Sequence, residues 1–138
     1  MTVVADTRFL IVFSFPSTEG ERDRVRELMY RSLRDRLVIP SVVITEYIKT
    51  AGSGMGKESA VARIAGLKES GAEVAVLDEK TAMRAGALLL EHADKPIGDA
   101  LIAATALIRR ASHVITDDPH FQQFGLKTRW VATPRNPG

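Results

Sequence analysis

Apolar and polar residues follow two patterns along the chain: short apolar runs, which predict strands, and helical spacing, which predicts longer helices. Residues 2–6 and 113–116 are short apolar runs of the kind that form buried strands. Residues 21–37 instead place Val25, Leu28 and Met29 at helical spacing between charged side chains. The same criteria predict strands at 2–6, 37–41, 73–77, 113–116 and 128–132 and helices at 21–37, 41–50, 57–70, 79–93, 96–111 and 119–124. Strands that alternate with helices predict an α/β fold, a three-layer α/β/α sandwich with a central, mostly parallel sheet.

Composition indicates the size of the domain, the cellular compartment and the classes of partner that the chain can bind. The chain has 138 residues and 45% apolar content, enough for one domain with its own core. We expect a single domain at residues 1–132, followed by a flexible tail at 133–138. The absence of cysteine excludes disulfide scaffolds and thiolate metal sites, and fits a reducing, cytoplasmic location. No apolar run approaches the ~18 residues that span a bilayer, so we expect no membrane partner. A net charge of +2 permits an anionic partner without requiring one.

The stretch "TAGSGMGKES" at residues 50–59 has the glycines and the lysine of a phosphate-binding loop but fails its pattern. Such a loop needs G-x-x-x-x-G-K-[ST], in which glycines let backbone N–H groups converge on phosphate and the hydroxyl holds magnesium. Ala51 stands in place of the first glycine, and Glu58 in place of the hydroxyl. We therefore interpret the stretch as a flexible connector in which Gly52 ends a helix, and expect no nucleotide cofactor.

The stronger signal is a set of acids in apolar surroundings. Asp6 ends a predicted strand, Glu46 lies in "PSVVITEYIK" and Asp99 lies in "IGDALIAATALI". Asp117 and Asp118 directly follow the strand "HVIT". Buried carboxylates are unfavourable unless they are paired or bound to metal. Three of them also have a simpler structural explanation: Asp6 can satisfy a turn, Asp99 can face a helix N-terminus, and Asp118 can cap a helix. Glu46 is the hardest to explain in this way, because it lies a full turn inside its helix between apolar neighbours.

A parallel sheet would bring these acids together at one edge. Asp6 and Asp118 follow the carboxyl ends of strands, and Glu46 and Asp99 lie in early turns of nearby helices. Crowded carboxylates repel one another and raise each other's pKa, and a divalent cation relieves that repulsion. Oxygen ligands suit Mg²⁺ or Mn²⁺. The three histidines have no helical or strand spacing to one another, which argues against zinc.

The chain resembles the PIN-domain ribonucleases, and most closely the VapC-type toxins of type II toxin–antitoxin systems. Four stretches carry the resemblance, in the family's order and across essentially the whole chain. They are "VVADTRFLI", "PSVVITEYIK", "IGDALIAATAL" and "VITDDPHF". The last two, with T-x-D followed by a phenylalanine, are the specific ones. In T-x-D the middle residue is Asp117, so whether it or Asp118 leads at the fourth position stays open.

The resemblance implies a site as well as a fold. Its catalytic and metal-binding acids fall on Asp6, Glu46, Asp99 and Asp118, with Asp117 as a further metal ligand and Thr7 and Thr116 as hydroxyls that orient the ligands. Because a negative pocket repels RNA, cations must border it. The nearest in sequence are Arg8, Lys49, Lys57 and Lys95. Trp130, Tyr47 and Phe121 are candidates for stacking on bases, although packing is the simpler role.

The implied function is hydrolysis of RNA with Mg²⁺ or Mn²⁺, leaving a 5′-phosphate and a 3′-hydroxyl. The implied partners are an RNA substrate, an antitoxin protein and a second copy of the chain, since such toxins dimerise through their early helices. Two alternatives stay open. One is a housekeeping RNA-processing nuclease, which the absence of a neighbouring antitoxin gene would favour. The other is a PIN-fold binding module with weak or no catalysis, which the complete set of acids disfavours.

Overall fold

Strands and helices follow one another along residues 1–131, the part of the chain that the structure, a computed structural model, describes. The strands are β1 (Thr2–Ala5), β2 (Arg36–Pro40), β3 (Glu73–Ala75), β4 (His113–Ile115) and β5 (Thr128–Arg129). The helices are α1 (Thr7–Ser14), α2 (Glu19–Arg34), α3 (Ser41–Met55), α4 (Lys57–Glu69), α5 (Glu79–Glu91), α6 (Ile97–Ile108) and α7 (His120–Gln123). The predicted tail at 133–138, and the end of the last predicted strand at 132, lie outside the described residues.

The strands form one parallel sheet in the order β3-β2-β1-β4-β5. Every registered pair is parallel, and β1 stands between β2 and β4, with Val4 opposite Val38 on one side and Val114 on the other. Because parallel crossovers are right-handed, the chain covers one face while it moves from β1 to β3 and the other after it returns to β4. The predicted three-layer α/β/α architecture is confirmed.

The core forms around the three central strands. Their apolar residues are inaccessible to solvent on both faces, as expected of a covered parallel sheet. Helix α6 packs against this sheet with small side chains, which let its backbone approach closely. The buried alanines of α6 are Ala100, Ala103, Ala104 and Ala106. Within residues 1–131 no helix is both long enough and apolar enough to cross a bilayer.

Helix α1 was not predicted. Its sequence, "TRFLIVFS", is rich in β-branched and aromatic residues, which favour strands. Two features override that preference. Asp6 caps the helix by accepting a hydrogen bond from the backbone N–H of Thr7 at 2.7 Å. Phe9, Leu10 and Val12 are buried, which gives the helix an apolar face against the core.

The glycine stretch is helical rather than a flexible connector. Helix α3 continues through Gly52 to Met55, five residues beyond the predicted end, and only Gly56 separates it from α4. Gly56 has φ of 90°, a conformation that L side chains rarely adopt. The interpretation of Gly52 as a helix end was therefore wrong, and the break between the two helices needs a single residue.

Candidate metal centre

The site lies between β1 and β4, where the order in which strands are added across the sheet reverses. β1 and β4 are neighbours, but the chain leaves them towards opposite edges of the sheet. A crevice opens beyond the carboxyl ends of two such strands, and ligands of parallel α/β sheets bind there. Asp6 directly follows β1, and Thr116 directly follows β4. The strand order therefore places the first acid and the loop with Asp118 on the two sides of one crevice.

Asp6 is held by hydrogen bonds from both sides of the crevice. One carboxylate oxygen accepts from the backbone N–H of Thr7 at 2.7 Å, and the other accepts from the hydroxyl of Thr116 at 2.7 Å. The same Thr116 oxygen accepts the backbone N–H of Asp118 at 3.0 Å. Asp6 is only 6% exposed. Thr116 thus joins the end of β1 to the loop that carries the fourth acid.

Asp99, Asp118 and His120 form a compact group of potential metal ligands. Each offers one ligand atom, and these atoms all lie within 4.8 Å of one another. His120 Nδ1 lies 2.9 Å from an oxygen of Asp99 and 3.3 Å from an oxygen of Asp118. The same Asp118 oxygen accepts the backbone N–H of His120 at 2.9 Å. The loop after β4 and the start of α7 therefore meet the first turn of α6.

Glu46 approaches this group from α3. Its Oε1 accepts a hydrogen bond from the hydroxyl of Thr7 at 2.9 Å. Its carboxylate also rests against Gly98, where an added Cβ would stand 3.2 Å from Oε2. Gly98 precedes Asp99, so the two carboxylates belong to adjoining positions of the crevice. Four separate segments thus bring Asp6, Glu46, Asp99 and Asp118 to one edge of the sheet.

Asp117 is placed differently from its neighbour. Both of its carboxylate oxygens accept from Nε of Arg8, at 2.8 and 2.9 Å. Of the two adjacent acids, the structure brings Asp118 into the group around Asp99. Lys95 likewise has its own carboxylate partner, Asp94, at 2.8 Å. Two of the cations expected to border the site are therefore already paired.

Burial and like charge both raise the pKa of acids in the site. Burial, and to a lesser degree the charges of Asp99 and Asp118, raise the pKa of Asp6 to about 6, although the hydrogen bonds from Thr116 and Thr7 oppose the shift. Burial also raises the pKa of Asp99, followed by the charge of Asp118, and the contact with His120 opposes it. The expected crowding is therefore present, but loss of water is the larger cause at both acids.

The donor set fits a divalent cation. Asp99 and Asp118 supply carboxylate oxygens, which suit Mg²⁺ or Mn²⁺, and His120 adds a nitrogen within the same distance. The sequence interpretation missed His120 because it compared the histidines only with one another. The available signal was its position two residues after Asp118 and close to the start of a short helix.

Comparison with known proteins agrees with this fold. A family model described as PIN domain matches residues 3–127. No relative was found among curated protein sequences. The solved VapC20 of Mycobacterium tuberculosis, described as a sarcin–ricin loop cleaving toxin, has a TM-score of 0.75 and 17% identity, over 90% of this chain and 95% of that one.

Two complexes add to the comparison. VapBC2 from Rickettsia felis, bound to a DNA fragment from its promoter, gives a TM-score of 0.72 and 17% identity, over 96% of this chain and 100% of that one. VapBC-1 from nontypeable Haemophilus influenzae gives 0.66 and 27% identity, over 94% and 97%. In both comparisons the similarity extends over nearly the whole length of this chain and of the matched chain.

Proposed function

This chain belongs to the PIN domain family, and from that premise we propose that it is a Mg²⁺- or Mn²⁺-dependent ribonuclease, the toxin of a toxin–antitoxin pair. One observation carries the proposal. Four acids from four separate segments meet at the crevice between β1 and β4, and two of them share a ligand group with His120. A purely structural role would not require so many carboxylates at one partly buried position, since each is unfavourable there without a cation.

The positions of the site residues give them different roles. Asp99, Asp118 and His120 would hold the cation, and Asp6 lies beside them. A bound divalent cation offsets the negative charge of the phosphate and lowers the pKa of a bound water. The orientation of the Asp6 carboxylate is fixed, because Thr7 and Thr116 each donate a hydrogen bond to one of its oxygens.

Glu46 is our candidate for the group that accepts the proton of the attacking water. It lies outside the three-ligand group and is only partly buried, and Thr7 fixes its position. Asp99, the other acid considered for this role, already contacts His120 at 2.9 Å. This assignment predicts that Glu46→Gln loses cleavage but still binds Mn²⁺.

RNA is the substrate class we assign. The motifs at Asp6, Glu46, Asp99 and Asp118 are those of a ribonuclease family, and a protein with the same fold is described as cleaving the sarcin–ricin loop.

An apolar groove supports the antitoxin as a partner. It has a volume of about 550 Å³ and lies between α2, α4 and the end of α1. Phe13, Met29, Leu33 and Leu67 supply its apolar lining, and Tyr30 at its rim is 67% exposed. An adjoining cavity of about 740 Å³ shares Tyr30 and Leu33 with it. An amphipathic segment laid along this groove would cover the exposed apolar surface, which is how helical peptides are commonly bound.

The decisive experiment measures RNA cleavage by the purified protein with Mg²⁺, with Mn²⁺ and with a chelator. We expect cleavage with either cation and none with the chelator. Asp99→Asn should lower the rate by about two orders of magnitude or more, because it removes a charge that only the cation complex requires. Retained far-UV circular dichroism would show that the variant is folded. Cleavage in the chelator, or by Asp99→Asn at the wild-type rate, would contradict the proposal.

The adjacent acids provide a matched pair for the same assay. Asp118→Asn and Asp117→Asn remove the same charge from neighbouring residues. We expect Asp118→Asn to lose cleavage as severely as Asp99→Asn, because it belongs to the ligand group. Asp117→Asn should retain most of it, because its partner is Arg8. Equal loss in both variants would place Asp117 in the metal centre as well.

A further inference from the structure

A small basic cleft lies on the side of the sheet that α2 covers, beyond the metal centre. It has a volume of about 140 Å³, and its charged lining consists of Arg24 and Arg31 with Glu27 from α2 and Arg129 from β5. Trp130 also lines it. The lining therefore contains three arginines and one glutamate. Of the aromatic residues considered for stacking, Tyr47 and Phe121 are fully buried, whereas Trp130 keeps an exposed part.

Two of these arginines lack a carboxylate partner within residues 1–131. Glu27 pairs with Arg31 at 2.8 Å, but neither Arg24 nor Arg129 forms a salt bridge with a described residue. The Nε of Arg24 is moreover buried without a hydrogen-bond partner in the described part of the chain. Buried donors are nearly always satisfied in native proteins, so this one calls for an acceptor.

Short, specific contacts connect the cleft to the metal centre. The backbone carbonyl of Arg129 accepts the N–H of Thr116 at 3.0 Å, and the hydroxyl of Thr116 donates to Asp6 at 2.7 Å. Trp130 packs edge-on against Phe9 with ring centroids 6.4 Å apart, and the N–H of Phe9 bonds the carbonyl of Asp6 at 3.1 Å. One strand spacing, ~4.8 Å, separates β5, which carries Arg129, from β4, which precedes Asp118, and β1, which precedes Asp6, is one strand further away.

We propose that this cleft, formed by Arg24, Arg31, Arg129 and Trp130, binds a phosphate and an adjoining base of the single-stranded RNA that is cut at the metal centre. The proposal rests on the proposed ribonuclease function and deepens it by naming where the substrate is held away from the cut. Guanidinium groups bind phosphate oxygens through paired hydrogen bonds, and an indole ring offers a stacking surface to any base. These four are positioning residues, since they touch the substrate away from the reacting phosphate.

RNA fits the cleft better than an acidic protein segment does. A centre made of carboxylates repels a polyanion, so a substrate needs cations nearby that are not already neutralised. Arg8 and Lys95 are paired with carboxylates, as Arg31 is with Glu27, whereas Arg24 and Arg129 in the cleft, like Lys49 and Lys57 outside it, form no salt bridge with a described residue. An acidic peptide would use only the charge of the cleft, while a nucleotide strand uses both the charge and the stacking surface of the indole.

The only tryptophan of the chain makes the cleft directly observable. The experiment titrates the protein, in a chelator, with an oligouridylate of about 12 nucleotides and records the fluorescence of Trp130 together with the anisotropy of the labelled RNA. We expect quenching of Trp130 that follows the same binding curve as the anisotropy. Arg129→Gln should weaken binding about tenfold and lower the slope of log K against log salt by about 0.7. Arg129→Lys should recover the salt slope but only part of the affinity.

Lys68→Gln is the matched control, because it removes one exposed positive charge from the end of α4, away from the cleft. It should bind the oligonucleotide as the wild type does, and all variants should keep the wild-type melting temperature within a few degrees. In the cleavage assay with Mn²⁺, Arg129→Gln should raise KM and leave kcat nearly unchanged. Equal loss in Arg129→Gln and Lys68→Gln, or RNA binding that leaves Trp130 emission unchanged, would overturn the proposal.

Two further arms separate this proposal from its rivals and from the ribonuclease function. Polyglutamate replaces the RNA in one arm, and a response of Trp130 to it but not to RNA would assign the cleft to an acidic protein segment and overturn our assignment. The other arm uses Asp99→Asn, which should lose cleavage but retain the Trp130 response. Cleavage by the wild type with a silent Trp130 would refute the cleft alone. A responsive Trp130 without any metal-dependent cleavage would refute the ribonuclease function and leave the cleft as an RNA-binding site.

Discussion

At the scale of single residues, the site depends on a buried carboxylate that folding alone does not favour. Asp6 is held between Thr7 and Thr116, which supply two hydrogen bonds but no positive charge. Burial raises the pKa of Asp6 to about 6, because the loss of hydration outweighs the two hydrogen bonds. A cation at the neighbouring ligands would remove this penalty, which couples the stability of the protein to its metal.

The raised pKa of Asp6 predicts how stability changes with pH in the absence of metal. The ordinary pKa of the group is 3.8 and the folded value is about 6, so between these values the folded protein keeps a proton that the unfolded chain has lost. Its contribution to stability is full below pH 4 and is lost as pH rises through 6. At ~1.4 kcal/mol per pH unit, the free energy of unfolding should fall by about 2 to 3 kcal/mol from this group.

The test compares urea unfolding of the wild type and Asp6→Asn in a chelator between pH 4 and pH 7. Asparagine cannot replace both hydrogen bonds, so its absolute stability is not the relevant quantity. The expected result is that the wild type loses about 2 to 3 kcal/mol more than Asp6→Asn across this range. Asp99, whose pKa is raised in the same direction, is present in both proteins, so the difference between them reports Asp6 together with its coupling to Asp99. Parallel curves for the two proteins would show that Asp6 does not carry the shift.

Residue types and strand ends were sufficient to predict which acids lie at one edge of the sheet, because a parallel sheet brings its carboxyl ends together there; their role stays a prediction. They were not sufficient to choose between Asp117 and Asp118. Both follow the same strand, and the difference is made by Arg8, which is 109 positions away from Asp117 and pairs with it. His120 was missed for a similar reason, since its partners come from a loop and from a distant helix.

At the scale of elements, the first turn of α6 sets the distance between two helices in the site. Gly98 has no side chain, and the carboxylate of Glu46 from α3 occupies the space that a Cβ would need. Asp99 follows directly and contacts His120. The glycine therefore has a role in the geometry of the site rather than in backbone flexibility, because its φ is not among the positive values in the described chain.

Replacing Gly98 by alanine should separate stability from activity. A Cβ there would stand 3.2 Å from Glu46 Oε2, so the carboxylate must move by a few tenths of an ångström. Alanine favours helix over glycine by up to ~1 kcal/mol, so the variant should melt no lower than the wild type. Cleavage should fall by about tenfold, because catalytic groups tolerate little displacement.

Gly66→Ala is the control for this substitution. Gly66 lies within α4, and an added Cβ would meet nothing within 4 Å, so alanine should bring the helical gain without loss of cleavage. In a Glu46→Gln background, Gly98→Ala should have little further effect, since the group it displaces is already disabled. Full activity of Gly98→Ala in the wild-type background would show that the position of Glu46 is not critical.

Most elements were predictable because their apolar periodicity agrees with their position in the fold. Helix α1 was not, because its residues favour a strand and its helical state depends on the cap from Asp6 and on burial against the core. The end of α3 was misplaced because glycine suggests a helix end, whereas Gly52 and Gly54 are tolerated inside this one. Local preference was outweighed by tertiary packing in both places.

At the scale of the whole molecule, distinct surfaces surround the metal centre. The basic cleft lies at the end of β5, and the apolar groove lies between α2 and α4. A third surface is the outer face of α5 with the start of α6. It exposes Met83, Leu90 and Ile97 at 68%, 87% and 69%. Large apolar side chains exposed to this degree commonly mark an interface.

This third surface is where we expect the homodimer to form. On the early helices, Leu28 and Met29 are 7% and 1% exposed and belong to the core, so they offer little surface to a second copy. Met83 and Leu90 are seven positions apart and lie on one face of α5.

The wild type should be a dimer by light scattering at high micromolar concentration. Replacing both residues by lysine should weaken association by about 100-fold or more, since burying each would stabilise the dimer by ~1.5 kcal/mol or more. Tyr30→Lys is the control, because it adds one positive charge, where the α5 variant adds two, at a large side chain of similar exposure, 67%, on α2. It should leave the dimer intact and weaken antitoxin binding instead. A wild-type monomer, or a dimer that Tyr30→Lys dissociates and the α5 variant does not, would place the interface elsewhere.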